Sequence, residues 1–415
     1  MTYSLTFPEE LKATIDLPSS KSISNRALII HALAGGGGRL QNLSVCDDTE
    51  VMVDALQRMP EVIDIKAAGT AMRFMTAYLA ATPSGTHVIT GTERMQQRPI
   101  GILVEALRQL GADIDYLGKE GYPPLRIHGK KLQGGSIEIP GNVSSQFISA
   151  LLMMGPVMRE GLTLKMTDQL ISKPYIELTL WMMREFGADV EWAGADTVKV
   201  TNRPYQSRDY FIESDWSAAS YWFEMVALTK NREAEIKLTG LSDGSMQGDS
   251  MVRFIFSLLG VKTLFASREQ GIPTTVTLRP TGLRVPRIDY DFINAPDLAQ
   301  TVVCTCVGLG IPFHFKGLHS LKIKETDRIE ALKTELRKLG YVIRDVNDSE
   351  LIWDGERCEP TSGRISTYDD HRMAMAFAPL SLCMPHISID HPEVVSKSYP
   401  MFWDHLKAIG VDVHE

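Results

Sequence analysis

The sequence predicts an α/β protein built from two similar domains, each containing three repeated units. The first supporting observation is a recurring sequence pattern, in which a predicted helix ends at a glycine and a strand follows. The glycines of this pattern are residues 111, 187, 260, 340 and 410, and successive ones are 70 to 80 residues apart. A degenerate earlier copy occupies residues 56–63, with Pro60 in place of the glycine. The second supporting observation is a polar, proline-containing segment at residues 202–209, which has three units before it and three after it. The simplest interpretation is two similar domains with a ligand-binding cleft between them.

The elements inside the units follow from residue spacing. Each glycine suits the left-handed residue that ends a helix, after which a strand begins. Pro99, Pro174 and Pro296 are expected to open helices. Residues 325–339 place apolar side chains at helical spacing and predict another. Alternating or β-branched stretches predict strands at residues 86–90, 136–139, 197–201, 235–239, 274–278 and 387–389.

Bulk composition narrows the class of protein. The chain has 415 residues, 44% apolar and 23% charged, with a formal net charge of −8. Generic attraction to nucleic acid or to a membrane is therefore not expected. The five cysteines are scattered and include no C-x-x-C pair, which argues against disulfides and zinc. Cys304 and Cys306 lie in an apolar stretch and are expected to be buried. With no signal pattern and no apolar run of membrane-spanning length, we expect a soluble cytoplasmic protein.

The densest polar cluster is residues 18–26, Pro-Ser-Ser-Lys-Ser-Ile-Ser-Asn-Arg, at the start of a predicted helix. A helix N-terminus has unpaired N–H groups and a partial positive charge, so hydroxyls and cations around it favour an anion such as phosphate. Ser22 and Arg26, four residues apart, would share one helix face. The alternative is a serine N-cap beside solvated basic residues, although a cap needs only one serine.

Residues 322–328 form a second cluster, in which Lys324 and Arg328 would face the same way on a helix with Glu325 beside them. A carboxylate among cations is a candidate acid or base. Taken alone, this segment also fits a charged first turn of a surface helix. Asp297 after Pro296 also fits the favourable placement of an acid near a helix N-terminus. The acids before His371 also fit a helix cap.

Eight predicted helices begin with polar phrases, which favours several helix N-termini converging on one cleft. The cleft would bind one or two substrates with several negative charges. Seven cations would add full charges to it: Lys21, Arg26, Arg98, Lys324, Arg328, Arg372 and Lys397.

Other familiar patterns are missing. The glycine run 35–38 is not followed by G-K-[ST], so it is not a P-loop, and no G-x-S-x-G elbow occurs. The ten histidines show no metal-ligand spacing, and we predict no catalytic metal.

Taken together, the polar phrases closely resemble the 5-enolpyruvylshikimate-3-phosphate synthase family of enolpyruvyl transferases. The phrases run in order through residues 20–26, 69–73, 98–101, 144–146, 172–175, 245–249, 324–328 and 370–373. The resemblance implies two inside-out α/β domains, each with three βαβαββ units, here with the first unit shortened. We expect the domains to span residues 17–212 and residues 1–16 plus 213–415.

The resemblance further implies transfer of the enolpyruvyl group of phosphoenolpyruvate to the 5-hydroxyl of shikimate 3-phosphate, with release of phosphate. The reaction belongs to chorismate and aromatic amino acid biosynthesis, and the resemblance implies that the enzyme is a target of glyphosate. It needs a base at the hydroxyl, an acid at C3 of phosphoenolpyruvate, and cations for phosphate and carboxylate. No metal or organic cofactor is implied, and the protein is expected to be a monomer.

Site residues are carried over motif by motif. Shikimate 3-phosphate would be held by Lys21, Ser22, Arg26, Ser144, Ser145, Gln146, Ser172, Tyr175, Asp297, Ser320 and Lys324. Phosphoenolpyruvate would be held by Lys21, Gly69, Arg98, Gln146, Arg328, Arg372 and Lys397. Asp297 would accept the hydroxyl proton, and Glu325, with Lys21 or Lys397, would handle the proton at C3.

The sequence departs from the family pattern in four places. Ala67 replaces a frequent asparagine, Phe74 a frequent proline and Ser320 a frequent asparagine, and the segment 48–67 is short. Two other functions remain possible from the sequence. One is the sister enzyme that uses UDP-N-acetylglucosamine. That enzyme typically uses a cysteine in a mobile loop of its first domain, and Cys46, the only cysteine in the N-terminal half of this chain, lies away from such a loop. The other is a phosphometabolite-binding protein without turnover.

Overall fold

The computed structural model describes residues 1–415, which divide into two compact units. The N-terminal unit is residues 20–212, and the C-terminal unit is residues 1–19 together with 213–415. Each unit buries its own hydrophobic core. No helix combines the length and apolar character needed to cross a membrane.

Two strands at the start of the chain belong to the C-terminal unit: β1 (Thr2–Thr6) and β2 (Lys12–Asp16). The N-terminal unit then contains seven helices, which are α1 (Lys21–Leu33), α2 (Asp47–Arg58), α3 (Gly69–Ala81), α4 (Glu93–Gln96), α5 (Gly101–Gln109), α6 (Ser145–Met154) and α7 (Lys173–Glu185). Its strands are β3 (Leu40–Gln41), β4 (Val62–Asp64), β5 (Thr86–Thr90), β6 (Asp113–Tyr116), β7 (Leu125–His128), β8 (Gly135–Pro140), β9 (Leu162–Thr167), β10 (Val190–Trp192), β11 (Thr197–Val200) and β12 (Tyr210–Phe211).

The C-terminal unit continues with six helices, which are α8 (Trp216–Leu228), α9 (Val252–Leu258), α10 (Ala299–Leu309), α11 (Arg328–Lys338), α12 (His371–Phe377) and α13 (Phe402–Ala408). Its further strands are β13 (Glu235–Leu241), β14 (Val261–Phe265), β15 (Thr274–Pro280), β16 (Ile288–Asp291), β17 (Phe313–Lys316), β18 (Arg344–Val346), β19 (Glu350–Trp353), β20 (Arg364–Ile365), β21 (Ser388–Asp390) and β22 (Asp412–His414). All six strands predicted from the sequence are present, with ends displaced by at most two residues.

Five four-stranded sheets share one topology, in which a parallel pair of strands is followed by an antiparallel pair. Their strand orders are β4-β5-β7-β6, β8-β9-β11-β10, β2-β13-β15-β14, β16-β17-β19-β18 and β20-β21-β1-β22. With the intervening helices, each sheet is one βαβαββ unit. The predicted repeated α/β architecture is confirmed.

The remaining repeat, which is the first of the N-terminal unit, is the shortened one. Its sheet consists only of β3 and β12, paired in parallel. Helix α2 ends at Arg58 and β4 of the next unit begins at Val62, so no antiparallel pair separates them. The sequence predicted the loss of a hairpin or of part of a helix–strand pair, and the missing part is the hairpin.

Left-handed residues end the repeated helices as predicted. The five glycines of the repeated phrase have φ between 80° and 100°, a conformation that other residues adopt at a cost. In the degenerate copy the left-handed residue is Met59, with φ 44°. It is not Pro60, because the proline ring holds φ near −65°.

The first helix of each complete repeat is buried on nearly all sides. All of α12 and all of α8 except Ser217 are buried, and α3 and α6 are buried except at three first-turn residues and Tyr78. A helix that is apolar all round belongs in a core. The second helix of each repeat keeps an exposed face, as in α5 and α11. Hydrophilic side chains of the buried helices are therefore concentrated at their N-terminal ends.

One buried carboxyl group breaks this rule. Glu224 lies deep within α8, and neither carboxyl oxygen has a hydrogen-bond partner in the protein. Burial raises the pKa of this carboxyl well above its ordinary value. Folding therefore favours the protonated form, and the stability associated with it is full below the unfolded pKa and is lost as pH rises through the native value.

Glu224→Gln keeps the shape of the protonated side chain and removes its titration. We expect wild type and variant to unfold with similar free energies at about pH 4, and the variant to gain up to about 1.4 kcal/mol per pH unit above that. Chemical denaturation from about pH 4 to about pH 8 measures the difference.

Glu335→Gln is the matched control. Glu335 is equally buried on α11, but it accepts hydrogen bonds from Lys338 (2.7 Å) and from the Tyr368 hydroxyl (2.6 Å). Removing its charge should destabilise the protein at neutral pH. A pH-independent difference between Glu224→Gln and wild type would contradict a neutral Glu224.

Candidate active site

The C-terminal unit gathers four cations and three carboxylates into one network. The cations are Lys324, Arg328, Arg372 and Lys397, and the carboxylates are Asp297, Glu325 and Asp370. All seven lie at or just before the N-terminal ends of α10, α11, α12 and α13. Four positive charges against three negative ones leave the network suited to an added anion.

Arg328 is the centre of this network. Its side chain is only 2% exposed. It donates to Asp370 from Nε (2.7 Å), to Asp297 from Nη1 (2.9 Å) and to Glu325 from Nη2 (2.9 Å). Burial opposes the charge, but these carboxylates raise the pKa of the guanidinium above its ordinary value. Arg328 is therefore a permanent cation that holds three acids in place.

Asp297 lies among three cations. It directly follows Pro296 in a short 3-10 helix that leads into α10. Its carboxylate is paired with Arg328 (2.9 Å), Arg372 (3.2 Å) and Lys324 (3.3 Å). Burial alone would raise the pKa of Asp297, but the three cations hold it well below its usual range. Asp297 is therefore ionised and can accept a proton.

Glu325 bridges two cations. One carboxylate oxygen accepts from Arg328 (2.9 Å) and the other lies 3.1 Å from Nζ of Lys397. The side chain is 15% exposed, so it is shielded from bulk water but still accessible. Glu325 can exchange a proton with a group placed beside it, and Lys397 is close enough to influence that exchange.

The local backbone differs from the sequence prediction. The helix expected at residues 325–339 begins only at Arg328, and Asp327 caps it by accepting from the backbone N–H of Glu330 (3.1 Å). Lys324 has an extended backbone. The expectation that Lys324 and Arg328 share a helix face is wrong. They are close in space because both bind Asp297.

Arg372 and Asp370 open α12. Asp370 is the N-cap, and it accepts from the backbone N–H of Arg372 (2.9 Å) while also binding Arg328. Arg372 also donates to the hydroxyl of Tyr221 on α8 (3.5 Å). Burial raises the pKa of that hydroxyl to about 12. Asp370 thus combines the helix cap considered from the sequence with a second role as a ligand of Arg328.

A separate cluster forms in the N-terminal unit at the start of α1. Lys21 is the first residue of α1, after the N-cap Ser20, whose hydroxyl accepts from the backbone N–H of Ile23 (3.4 Å). Nζ of Lys21 lies 3.0 Å from the buried carboxylate of Asp48 on α2. The pair holds the lysine at the helix N-terminus, where the helix dipole also attracts anions.

Arg26 is more deeply buried than the sequence indicated. It is 2% exposed and donates to Thr179 on α7 (2.7 Å) and to the backbone carbonyl of Ser22 (2.9 Å). Burial lowers its pKa to about 10. Its guanidinium also lies 5.4 Å from the ring centroid of Phe74. Arg26 therefore ties α1 to α7 and α3, and any ligand contact must be made from within this packing.

Gly69 and Arg98 meet at the start of α3. A Cβ atom on Gly69 would lie 2.7 Å from Nη1 of Arg98, so the guanidinium occupies the space that the missing side chain leaves. Nε of Arg98 is buried without a hydrogen-bond partner. Arg73 helps to place this segment by donating to the carbonyls of Gly69 (3.0 Å) and Pro99 (3.4 Å).

The predicted polar residues of the N-terminal unit lie at other helix starts. Ser144 caps α6, and its hydroxyl accepts from the backbone N–H of Gln146 (3.3 Å). The Gln146 side-chain amide reaches across to Thr70 on α3 (3.0 Å). Ser145 is the first residue of α6, and Ser172, with φ 53°, precedes α7, which contains Tyr175. Ser22 follows Lys21 on α1.

Ser320, predicted to contact shikimate 3-phosphate, belongs to the C-terminal unit and lies in the short 3-10 helix His319–Ile323. Its hydroxyl forms no hydrogen bond with the network around Arg328.

Sequence reasoning left several contributors unassigned: Asp48, Arg73, Tyr221 and Asp370. Their signals are indistinct, because an acid in a first helical turn is common and a buried tyrosine looks like core. Asp48 pairs with a lysine 27 residues earlier, and only the packing of α1 on α2 reveals that pair. No group of three or more His, Cys, Asp or Glu side chains is arranged to hold a metal ion.

Comparison with known proteins identifies the family of the chain. The family model described as EPSP synthase (3-phosphoshikimate 1-carboxyvinyltransferase) matches residues 5–63 and 57–406. The chain belongs to the EPSP synthase family. A relative from Bacteroides fragilis, called 3-phosphoshikimate 1-carboxyvinyltransferase, is 57% identical over 100% of this chain and 99% of its own. One of the same description from Aliivibrio fischeri is 36% identical, with 97% of each chain covered.

Solved structures show the same fold. EPSP synthase from Acinetobacter baumannii superposes with a TM-score of 0.79 at 21% identity, covering 100% of both chains. The enolpyruvyl transferase NikO from Streptomyces tendae gives 0.73 at 15% identity, covering 100% of this chain and 98% of its own. Membership of the EPSP synthase family therefore rests on the sequence relatives, and these structures support the architecture.

The buried position of Arg328 predicts a large loss of stability on truncation. Arg328→Met would leave the buried carboxylate of Asp370 and the partly buried carboxylates of Asp297 and Glu325 without their shared cation, which should cost about 3–5 kcal/mol of unfolding free energy. Denaturant titration of the purified variant measures the loss.

Arg287→Met is the control for this change. Arg287 also pairs with two carboxylates, Asp289 (2.9 Å) and Asp354 (2.8 Å), but it is 41% exposed. Exposed pairs contribute less than about 1 kcal/mol. Equal losses in the two variants would show that Arg328 does not organise the network.

Proposed function

We propose that this protein is a 3-phosphoshikimate 1-carboxyvinyltransferase. It transfers the enolpyruvyl group of phosphoenolpyruvate to the 5-hydroxyl of shikimate 3-phosphate and releases phosphate, a step of aromatic amino acid biosynthesis. The observation that carries the proposal is that an ionised Asp297 and Glu325 both bind the guanidinium of Arg328. The chain is also 57% identical over its full length to a relative of that name.

The reaction begins with addition. The 5-hydroxyl loses its proton to Asp297, its oxygen forms a bond to C2 of phosphoenolpyruvate, and C3 receives a proton. Asp297 is ionised in the free protein because three cations surround it. An anionic substrate that binds those cations would offset their charge and raise the proton affinity of the carboxylate. Substrate binding would thus turn Asp297 into a better base when it is needed.

The second proton transfer is assigned to Glu325. In the protonated form it would give its proton to C3, and as a carboxylate it would take a proton back when phosphate leaves the tetrahedral intermediate. Lys397, 3.1 Å from its oxygen, is placed to favour the carboxylate and to attract the departing phosphate. Lys21 would support the same step from the start of α1.

Binding is assigned to cations and helix starts of both units. The phosphate and carboxylate of phosphoenolpyruvate would contact Lys21, Gly69, Arg98, Gln146, Arg328, Arg372 and Lys397. Shikimate 3-phosphate would contact Lys21, Ser22, Arg26, Ser144, Ser145, Gln146, Ser172, Tyr175, Asp297, Ser320 and Lys324. The orphaned Nε of Arg98 supports its assignment, since a bound anion would supply the missing acceptor. Arg26 would act from a buried position, between the helices that it joins.

We also propose that the enzyme is cytoplasmic and works as a monomer. Each unit buries its own core, so neither needs a partner subunit to complete it. Sedimentation velocity should give the mass of one chain, and cell fractionation should recover the protein in the cytoplasm.

A phosphate-release assay tests the function. Phosphoenolpyruvate is supplied with shikimate 3-phosphate or with UDP-N-acetylglucosamine as acceptor. We expect phosphate only with shikimate 3-phosphate. Release only with UDP-N-acetylglucosamine would assign the sister reaction, and release with neither acceptor would identify a binding protein without turnover.

Isosteric changes test the two proton-transfer roles. Asp297→Asn and Glu325→Gln keep the side-chain shape but cannot take up a proton in the same way. We expect kcat to fall by about 10²–10⁴-fold while KM for shikimate 3-phosphate changes far less. Steady-state kinetics provide the measurement.

Asp327→Asn is the matched control, because Asp327 is an acid of the same segment that caps α11 by binding the backbone N–H of Glu330. Asparagine is also a good cap, so kcat should be nearly unchanged. A loss confined to KM in the two test variants would remove Asp297 and Glu325 from the chemistry.

Gly69→Ala tests the phosphoenolpyruvate site. The new methyl group would lie 2.7 Å from Nη1 of Arg98, so the guanidinium must move. We expect KM for phosphoenolpyruvate to rise and competitive inhibition by glyphosate, a longer anion, to weaken. Inhibition curves at several phosphoenolpyruvate concentrations measure both effects.

Gly194→Ala is the control for this change, because an added Cβ there would have its nearest neighbour at 3.7 Å. Its inhibition curve should match wild type. If wild type is insensitive to glyphosate and Gly69→Ala changes neither constant, Gly69 does not border the phosphoenolpyruvate site.

A further inference from the structure

Asp249 is a buried carboxyl with no role in the mechanism described above. It lies in the short 3-10 helix Gly248–Met251, just before α9, and is 3% exposed. Its Oδ2 accepts a short hydrogen bond from the hydroxyl of Ser217 in the first turn of α8. Its Oδ1 is buried and has no hydrogen-bond partner. A half-satisfied buried acid needs a physical reason.

Helix α8 links Asp249 to Asp297 through two residues on one of its faces. Ser217 and Tyr221 are one turn apart on α8 and share a face. Tyr221 accepts from Arg372 (3.5 Å), and Arg372 is paired with Asp297 (3.2 Å). Both carboxyl groups are therefore linked to one face of α8, Asp249 through Ser217 and Asp297 through Arg372 and Tyr221.

The charged groups around Asp249 act on it in opposite directions. Burial raises the pKa of Asp249 to about 6, and the negative charges of Asp297 and of Asp215, the N-cap of α8, act in the same direction. Arg372 and the Ser217 hydroxyl oppose them. Burial alone would raise the pKa of Asp297, but its three cations hold that pKa well below the usual range. The two acids thus titrate in different ranges and influence each other through their charges.

We propose that Asp249 is a positioning residue that sets the proton affinity of Asp297. When Asp249 is ionised, its negative charge opposes the cations around Asp297 and makes that carboxylate a better base. When Asp249 is neutral, the cations act unopposed and Asp297 is a poorer base. The substrate proton passes only to Asp297, and its electron pair stays on the oxygen that attacks C2. This inference rests on the proposed function, since it assigns Asp297 as the base.

The pH dependence of Asp249→Asn tests the proposal. Activity supported by ionised Asp249 is present above its pKa and lost below it. The phosphate groups of the substrates titrate in the same range, so the readout is the ratio of variant to wild-type kcat at each pH. We expect a ratio near one at about pH 5 that falls about three- to tenfold by about pH 8. A ratio that is the same at every pH would reduce Asp249 to a structural role.

Ser217→Ala is a second variant with a different expected profile. Loss of the hydroxyl donor removes support for the ionised form, so Asp249 should ionise at higher pH. The activity ratio should be lowest between about pH 6 and about pH 7 and recover towards about pH 8. Thermal unfolding of both variants shows whether they fold. A Ser217→Ala ratio without this minimum would overturn the proposal even if Asp249→Asn does not fold.

A titration without turnover separates this inference from the proposed function. Carbon-13 NMR of carboxyl-labelled aspartate should show one group titrating at about pH 6 that is missing in Asp249→Asn. In Asp297→Asn, loss of the neighbouring negative charge should move that titration to lower pH. An unmoved titration would rule out the coupling, whether or not the protein transfers enolpyruvyl groups.

Discussion

The C-terminal network depends on the burial of one guanidinium. An isolated cation placed where Arg328 lies would be strongly destabilising, and so would the three carboxylates without it. The contacts reach Asp297 before α10, Glu325 before α11 and Asp370 at the start of α12. Three helix starts from two neighbouring repeats are thereby held at fixed separations. The two candidate proton carriers, Asp297 and Glu325, share this support, so their mutual geometry is fixed before any ligand binds.

The repeats explain why polar residues occur at helix starts. The first helix of each repeat is a core element, so its sides can hold few charges, and Glu224 shows how poorly one is satisfied there. The N-terminal turns have unpaired N–H groups that polar side chains and anions can satisfy. Charge collects at these ends because the rest of each helix excludes it. The network around Arg328 and the Lys21–Asp48 pair are two results of this constraint.

Local rules were sufficient for much of the fold and for part of the site. The left-handed glycines such as Gly111, the strands and the helix-start serines depend on nearby sequence, and the structure has them where they were predicted. The start of α11 was misplaced because Lys324 and Glu325 have good helix propensity, yet tertiary ion pairs hold them outside the helix. Asp48 was missed for a related reason, since its partner Lys21 lies 27 residues earlier. Asp249 was noticed only as part of the phrase 245–249, and no role was assigned to it, since its partner Ser217 is also distant in sequence. The family resemblance supplied roles that spacing alone could not.

The two N-terminal strands have a consequence for how the chain is made. Strand β1 lies between β21 and β22, which belong to the second segment of the C-terminal unit, and Ser4 is opposite His414. Residues 2–6 therefore cannot pair until residues 388–414 have been synthesised, and these contacts have a very large sequence separation. The N-terminal unit is one continuous segment and has no such delay. Since β1 and β22 are antiparallel neighbours, a short linker from residue 415 to residue 1, with new ends opened at the 212–213 junction, would let the C-terminal unit be made as one uninterrupted segment.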